Sequence, residues 1–169
     1  MHERVSIRNI PLIISTLAEH VQTNKGIQFL VGKTRLALAE QICMQYADNE
    51  KTLRVLKIDP VLEKYIISRK AAGEVKSDDI ILFRRRVWLS WDKAVSKTVK
   101  AVKNKGWYPV ILCPEEIRVF IKRYGTGQTT AVLSESEIAG GFTTEVIGEI
   151  KLENEIYTRY AYYFQSGTP

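Results

Sequence analysis

Apolar residues in the first fifty positions recur at three- and four-residue spacing, the period of a helix that buries one side. Ile10, Ile13, Ile14, Leu17, Ala18 and Val21 form the first row. They predict a helix over about 7–21, with Ser6 as its cap and Asn9 standing where a full capping box has Glu or Gln. Pro11 suits the first turn of a helix and sets the start of the regular part near it. The polar run Gln22-Thr23-Asn24-Lys25-Gly26 ends this helix. Ile27, Leu30, Val31, Leu36, Leu38, Ala39, Ile42, Cys43 and Tyr46 then continue the period. They predict one longer helix to about 47, packed antiparallel on the first.

From residue 53 the period shortens. Leu53 to Ile58 alternates as a strand does, and Asp59-Pro60 stops it and caps the next helix. That helix runs through Leu62, Tyr65 and Ile66 to Ala72-Gly73. After a polar link at 74–76, Ser77 or Asp78 opens the longest helix, with Ile81, Leu82, Val87, Trp88, Trp91, Val95, Val99 and Val102 on its apolar side. Gly106 closes it, preceded by Lys103 and Lys105, whose charges suit a helix C-terminus. Pro109–Cys113 reads as a strand, Pro114 opens a helix through Ile117, Phe120 and Ile121, and further strands fall at about 130–133 and 143–152. Strand, helix, strand in that order calls for parallel pairing.

The expected fold class is therefore mixed α+β, a mostly helical subdomain followed by a small α/β subdomain. Residues 1–76 form the helical part with one short strand, 77–105 a long connecting helix, 106–153 the α/β part and 154–169 a tyrosine-rich tail. The tail carries Tyr157, Tyr160, Tyr162, Tyr163 and Phe164. Its pattern suits an added strand, a partner-binding arm or an appended segment, and does not choose among them.

Composition adds limits. With 169 residues, 45% of them hydrophobic, the chain has enough apolar surface for a normal core. Cys43 and Cys113 lie in apolar settings and read as buried free thiols of a reducing compartment, not as a disulfide framework or metal site. No apolar run reaches the roughly 18 residues needed to cross a bilayer, and no signal-like segment opens the chain, so a soluble cytosolic piece is expected. The net charge of +6 is uneven: nine basic residues lie between Lys76 and Lys105, and eight glutamates between Glu115 and Glu155. Such polarity suits nucleic acid or the unlike faces of neighbouring subunits. A nucleic-acid surface favours basic residues interleaved with exposed aromatics, whereas Phe83, Trp88 and Trp91 fall at apolar spacing.

Gly32-Lys33-Thr34 resembles the end of a phosphate-binding loop, but five residues separate Gly26 from Gly32 instead of four, and no strand precedes them. His2 and His20 have no ligand-spaced partners. Glu115-Glu116 and Glu135/Glu137 could in principle form a carboxylate pair for acid–base work, but the first pair follows Pro114 where acidic residues favour a helix start. No catalytic, cofactor-binding or metal-ligating residue is expected. Arg84-Arg85-Arg86 fan over much of a helix circumference, as solvated stems over apolar surface or as an ion pair between subunits.

Several short phrases resemble, in one order, the end of the cytoplasmic domain of the bacterial type III secretion export gate family, which includes flagellar FlhA and injectisome SctV proteins. Val5-Ser6-Ile7-Arg8-Asn9 and Leu17-Ala18-Glu19 resemble its first phrase. Arg35, Ala37, Leu38 and Gln41-Ile42 resemble the second, and Leu53-Arg54-Val55 with Ile58-Asp59-Pro60-x-Leu62-Glu63 the third. Pro109 to Cys113, Arg118 and Val132-Leu133-Ser134-x-x-Glu137-Ile138 are similar to its final α/β unit. The likeness spans about 4–152 and departs at Lys122–Gly127 and in the tail.

The resemblance implies a non-enzymatic module of a protein export gate without cofactors. Its implied partners are neighbouring subunits of a nonameric ring, export-apparatus proteins and chaperone–substrate complexes, not nucleic acid. Its implied location is the cytoplasmic face of the inner membrane, with membrane contact only through a missing N-terminal part. Arg8, Arg35, Arg84, Arg85, Arg86 and Arg118 are the candidate protein-interface residues. The competing readings are a nucleic-acid binder through 84–105 and a nucleotide-binding enzyme using Lys33 and Thr34.

Overall fold

A computed structural model describes residues 5–71, 85–125 and 130–152. Helix α1 spans Ile10–His20, α2 Ile27–Ala37 and α3 Ala39–Tyr46. Strand β1 covers Thr52–Ile58, α4 Pro60–Ala71 and α5 Arg85–Asn104. Strand β2 (Val110–Cys113), α6 (Glu115–Phe120), β3 (Ala131–Ser134) and β4 (Thr143–Ile150) follow.

The cap of α1 is Asn9, whose side chain accepts from the Leu12 amide at 3.3 Å, and not Ser6. With Pro11 inside the first turn, the helix begins at the residue its missing amide tolerates. The long second helix is two helices. At Leu38 the backbone leaves helical geometry (φ −91°, ψ 8°), yet the bonds Leu38 N–H to Thr34 O and Ile42 N–H to Leu38 O continue across it. Leu38, Ile42 and Cys43 are all buried, so the bend seats α3 on the sheet. Asp59 caps α4 as expected, its Oδ1 accepting from the amides of Val61 and Leu62 at 2.9 and 3.3 Å.

Helix α5 ends as the glycine predicts. Gly106 sits at φ +76°, its amide donates to Lys103 O, and the Trp107 amide reaches back to Val102 O. These two bonds form a Schellman closure, which requires the left-handed conformation glycine adopts without a steric penalty.

All four strands form one parallel sheet in the order β3-β2-β1-β4. Strand β1, from the part expected to be mostly helical, lies between β2 and β4. Alternation along the strands sends their side chains into two cores. Leu56, Ile58, Ile111, Cys113 and Val132 meet Leu62, Ile66, Trp91, Val95, Val99 and Ile117 from α4, α5 and α6. Leu53, Val55, Val110, Leu112 and Leu133 meet Leu38, Ile42 and Cys43 on the opposite side, with Leu12 and Ile13 of α1 at the margin. The result is the mixed α/β class expected, with helices on both faces of the sheet. Residues 72–84, 126–129 and 153–169 lie outside the description, and with them the start of the long helix and the tyrosine-rich tail.

Candidate functional site: a buried arginine pair and an uncovered helix face

At the carboxyl end of β3, Ser134 turns the chain into a single 3-10 turn, Glu135–Glu137. Glu137 sits inside with 2% of its surface exposed, and its Oε2 accepts the Ser134 amide at 2.9 Å to complete a capping box. Two arginines converge on this carboxylate. Arg35, from the last turn of α2, places Nε on Oε1 and Nη2 on Oε2, the latter at 3.0 Å. Arg118, from α6, brings Nε to 3.7 Å from Oε1. Cys43 Sγ donates to Glu137 O at 3.3 Å and accepts the Ala139 amide at 3.5 Å.

Burial pushes the Glu137 carboxyl up, but Arg35, the Ser134 amide and the Arg118 charge together outweigh it and hold the acid below the ordinary carboxylate range. Two positive charges around one negative, all nearly dry, form an internal clamp tying α2 and α6 to the end of β3.

Two of the candidate interface residues thus lie inside this chain. Arg35 and Arg118 are each 4% exposed, so neither guanidinium meets a partner at the surface of this chain. Arg8 is exposed. Arg84 lies outside the described residues, and Arg85 and Arg86 open α5 with side chains outside the description.

Sequence reading missed Glu137 as the clamp's centre; the spacing Ser134-x-x-Glu137 signals its local turn as a capping box, but not the two arginines that converge on it. The remaining chemical candidates also find places. Gly32, Lys33 and Thr34 lie within α2, Thr34 Oγ1 donates to Leu30 O at 2.8 Å, and Lys33 Nζ stands 5.5 Å from the centre of the Phe29 ring. A phosphate cradle needs loop amides, which a helix interior does not present. Glu115 and Glu116 occupy the first turn of α6, and Glu135 pairs with Lys57.

The surface signal lies elsewhere. Helix α1 is apolar on both sides. Leu12, Ile13 and Thr16 turn inward, while Ile10, Pro11, Ile14 and Ala18 are exposed and continue the row begun by Ile7. Helix α2, packed on α1, adds Ile27 at 79% exposure and Val31 at 41%. Four large side chains uncovered on two adjoining helices, with Ile7 just ahead of them, mark a contact surface. Among the described residues, no helix is long and apolar enough to cross a membrane.

Comparison with known proteins places the chain in a group. The FHIPEP family model matches residues 1–143. Flagellar biosynthesis protein FlhA of Treponema pallidum is 31% identical over 157 residues, which are 90% of this chain and 22% of that protein. The structure of Shigella flexneri MxiA superposes with a TM-score of 0.72 at 25% identity, covering 88% of this chain and 46% of that one. Nonameric EPEC SctV-C shares the fold with a TM-score of 0.70 at 24% identity, covering 88% and 44%. The chain thus spans about a fifth of the flagellar relative and under half of either solved chain.

Proposed function

Because this chain belongs to the FHIPEP family of type III export gate proteins, we propose that it is a non-enzymatic part of such a gate, helping to build a ring and to dock export cargo. The observation that carries this reading is the uncovered apolar face of α1 and α2, Ile7, Ile10, Ile14, Ile27 and Val31. Exposed alone, these side chains carry an unfavourable hydration term of about 25 cal/mol per Å2, which contact with another subunit removes. The nonameric state of SctV-C, which shares this fold, supports a neighbouring copy as the contact. Placement of the whole protein at the cytoplasmic face of the inner membrane, and docking of chaperone–substrate complexes and apparatus proteins, belong to the same proposal.

The competing readings gain little. Lys33 and Thr34 are helical residues, and Trp91 of the basic helix is 1% exposed and stacks in the core instead of offering a face to a base. The test is secretion by the source bacterium carrying Ile14→Asp and Val31→Asp in the complete protein. The expected result is loss of export substrates from the medium with normal levels inside the cell. Undiminished export would remove the apolar face from the account.

A further inference from the structure

Strand β4 is the outermost strand of the sheet among the described residues, and the chain that follows it directly, 153–169, lies outside the description. The backbone of β4 fixes what fits beside it. The Thr143 amide donates inward to Lys51 O, and Ile150 O accepts inward from the Asp59 amide. Alternation from these two ends turns the amide and carbonyl groups of Thr144, Val146 and Glu149 away from β1. Such a row is satisfied by water or by a further strand.

The chain leaves β4 from an anchored point. Ile150 and Leu152 are both buried in the core shared with α4, α5 and α6, which holds the path at the carboxyl end of β4 as far as residue 152. From there a short link delivers an antiparallel strand, whereas a parallel one needs a crossover of about a dozen residues or more. Asn154 suits the turn. Of the ten residues 155–164, seven are Ile, Thr, Tyr or Phe, the types that favour strands, and none is Gly or Pro. Extended, ten residues reach about 33 Å, enough to run beside the about 27 Å of Thr143–Ile150. We propose that residues 155–164 return antiparallel along the outer side of β4 as an added strand, closing the sheet edge within the same chain. Thr144 and Val146 share the α3 side of the sheet with their partners Leu53 and Val55, and there an aromatic side chain of the returning strand stands beside Val146 as a cross-strand neighbour. The tail is then part of the fold and not an arm for a partner. This does not rest on the ring reading, since it uses neither α1 nor α2.

The test is amide hydrogen exchange together with cross-strand Overhauser contacts, read by NMR on the full chain. The Val146 and Glu149 amides are expected to exchange about a hundredfold or more slower than in an unfolded chain. Contacts between Hα atoms of β4 and of 155–164 should accompany this, as antiparallel neighbours give. Tyr160→Pro with Ala161→Pro puts a proline at both alternating positions, so one of them removes a ladder amide whatever the register. In that variant the Val146 amide should exchange about tenfold faster or more, while the amides of the buried Leu56 and Ile111 stay slow. Unprotected Val146 and Glu149 amides in the native chain overturn the proposal. Protection that survives both prolines overturns it as well, by giving the edge to another element. Contacts that arise only between differently labelled copies would place a second copy there and overturn it too. The Overhauser contacts are read on the unaltered chain, so their absence overturns the proposal even where the variant fails to fold.

Discussion

Arg35 and Glu137, 102 positions apart in sequence, meet in a buried two-pronged ion pair with Nη2 and Oε2 3.0 Å apart. The pair closes α2 onto the end of β3, and Arg118 adds a second positive charge from α6. Removing one partner of a buried pair leaves an uncompensated charge, at a cost of about 3–5 kcal/mol. Glu137→Ala is therefore expected to lower the urea unfolding free energy by about that amount, the largest single effect in the clamp. Replacing the three charges together, Arg35→Met and Arg118→Met with Glu137→Leu, should recover much of the loss. A triple variant as unstable as Glu137→Ala would show that the charges themselves, and not the orphaned arginines, carry the stability.

The same carboxylate sets a pH dependence. Its folded pKa lies below the unfolded value of 4.5, so the unfolded state takes up a proton first as pH falls. The stabilisation is complete above about 4.5 and is lost progressively below it, through the folded pKa. Unfolding free energies at stepped pH should fall across that range in the native protein and fall less steeply in Glu137→Gln.

How much of this was open to sequence reading depends on the range of the interactions involved. Strands β1 to β4, the Asp59 cap and the Gly106 stop are set by neighbours a few residues away, and each lies within a residue or two of its expected place. The bend at Leu38 was not legible, because helical period persists through it and only the sheet beneath α3 demands the turn. The arginines show the same division. Phrase similarity marked Arg35 and Arg118, but only the fold brings them to one glutamate, and burial decides that they work inside. The apolar face of α1 was written in Ile10 and Ile14, although periodicity alone does not tell an outer stripe from an inner one.

The thiols give an independent check on the cores. Cys113 is wholly buried at the end of β2 and its pKa is pushed up to about 12, while burial also raises Cys43 on the other sheet face. Thiolate is the reactive form, so neither cysteine should be alkylated by iodoacetamide at pH 8 in the native protein. Mass spectrometry should show both modified once urea unfolds the chain. Rapid labelling of Cys113 in the native state would mean that the α4–α5–α6 side of the sheet opens locally.

Two glycines should respond differently to alanine. At Gly106 a Cβ meets nothing within 4 Å, so Gly106→Ala is opposed only by the left-handed backbone, about 1–2 kcal/mol. That corresponds to a fall of about 2–8 °C in Tm for a chain of this size. At Gly148 the backbone is ordinary for a strand, but the new Cβ would stand 3.1 Å from Leu56 Cδ2. Its effect should appear as repacking around Leu56, read from methyl chemical shifts, in addition to any change in Tm.

The central claim, that the outer face of α1 is an assembly surface, is tested most directly by sedimentation of the complete cytoplasmic domain bearing Ile10→Asp and Ile14→Asp. Both side chains are more than half exposed, and an aspartate at position 10, in the first turn, favours the helix, so the fold should remain intact by circular dichroism. The account predicts a large assembly for the native domain and a monomer for the variant. An assembly of unchanged size in the variant would contradict it.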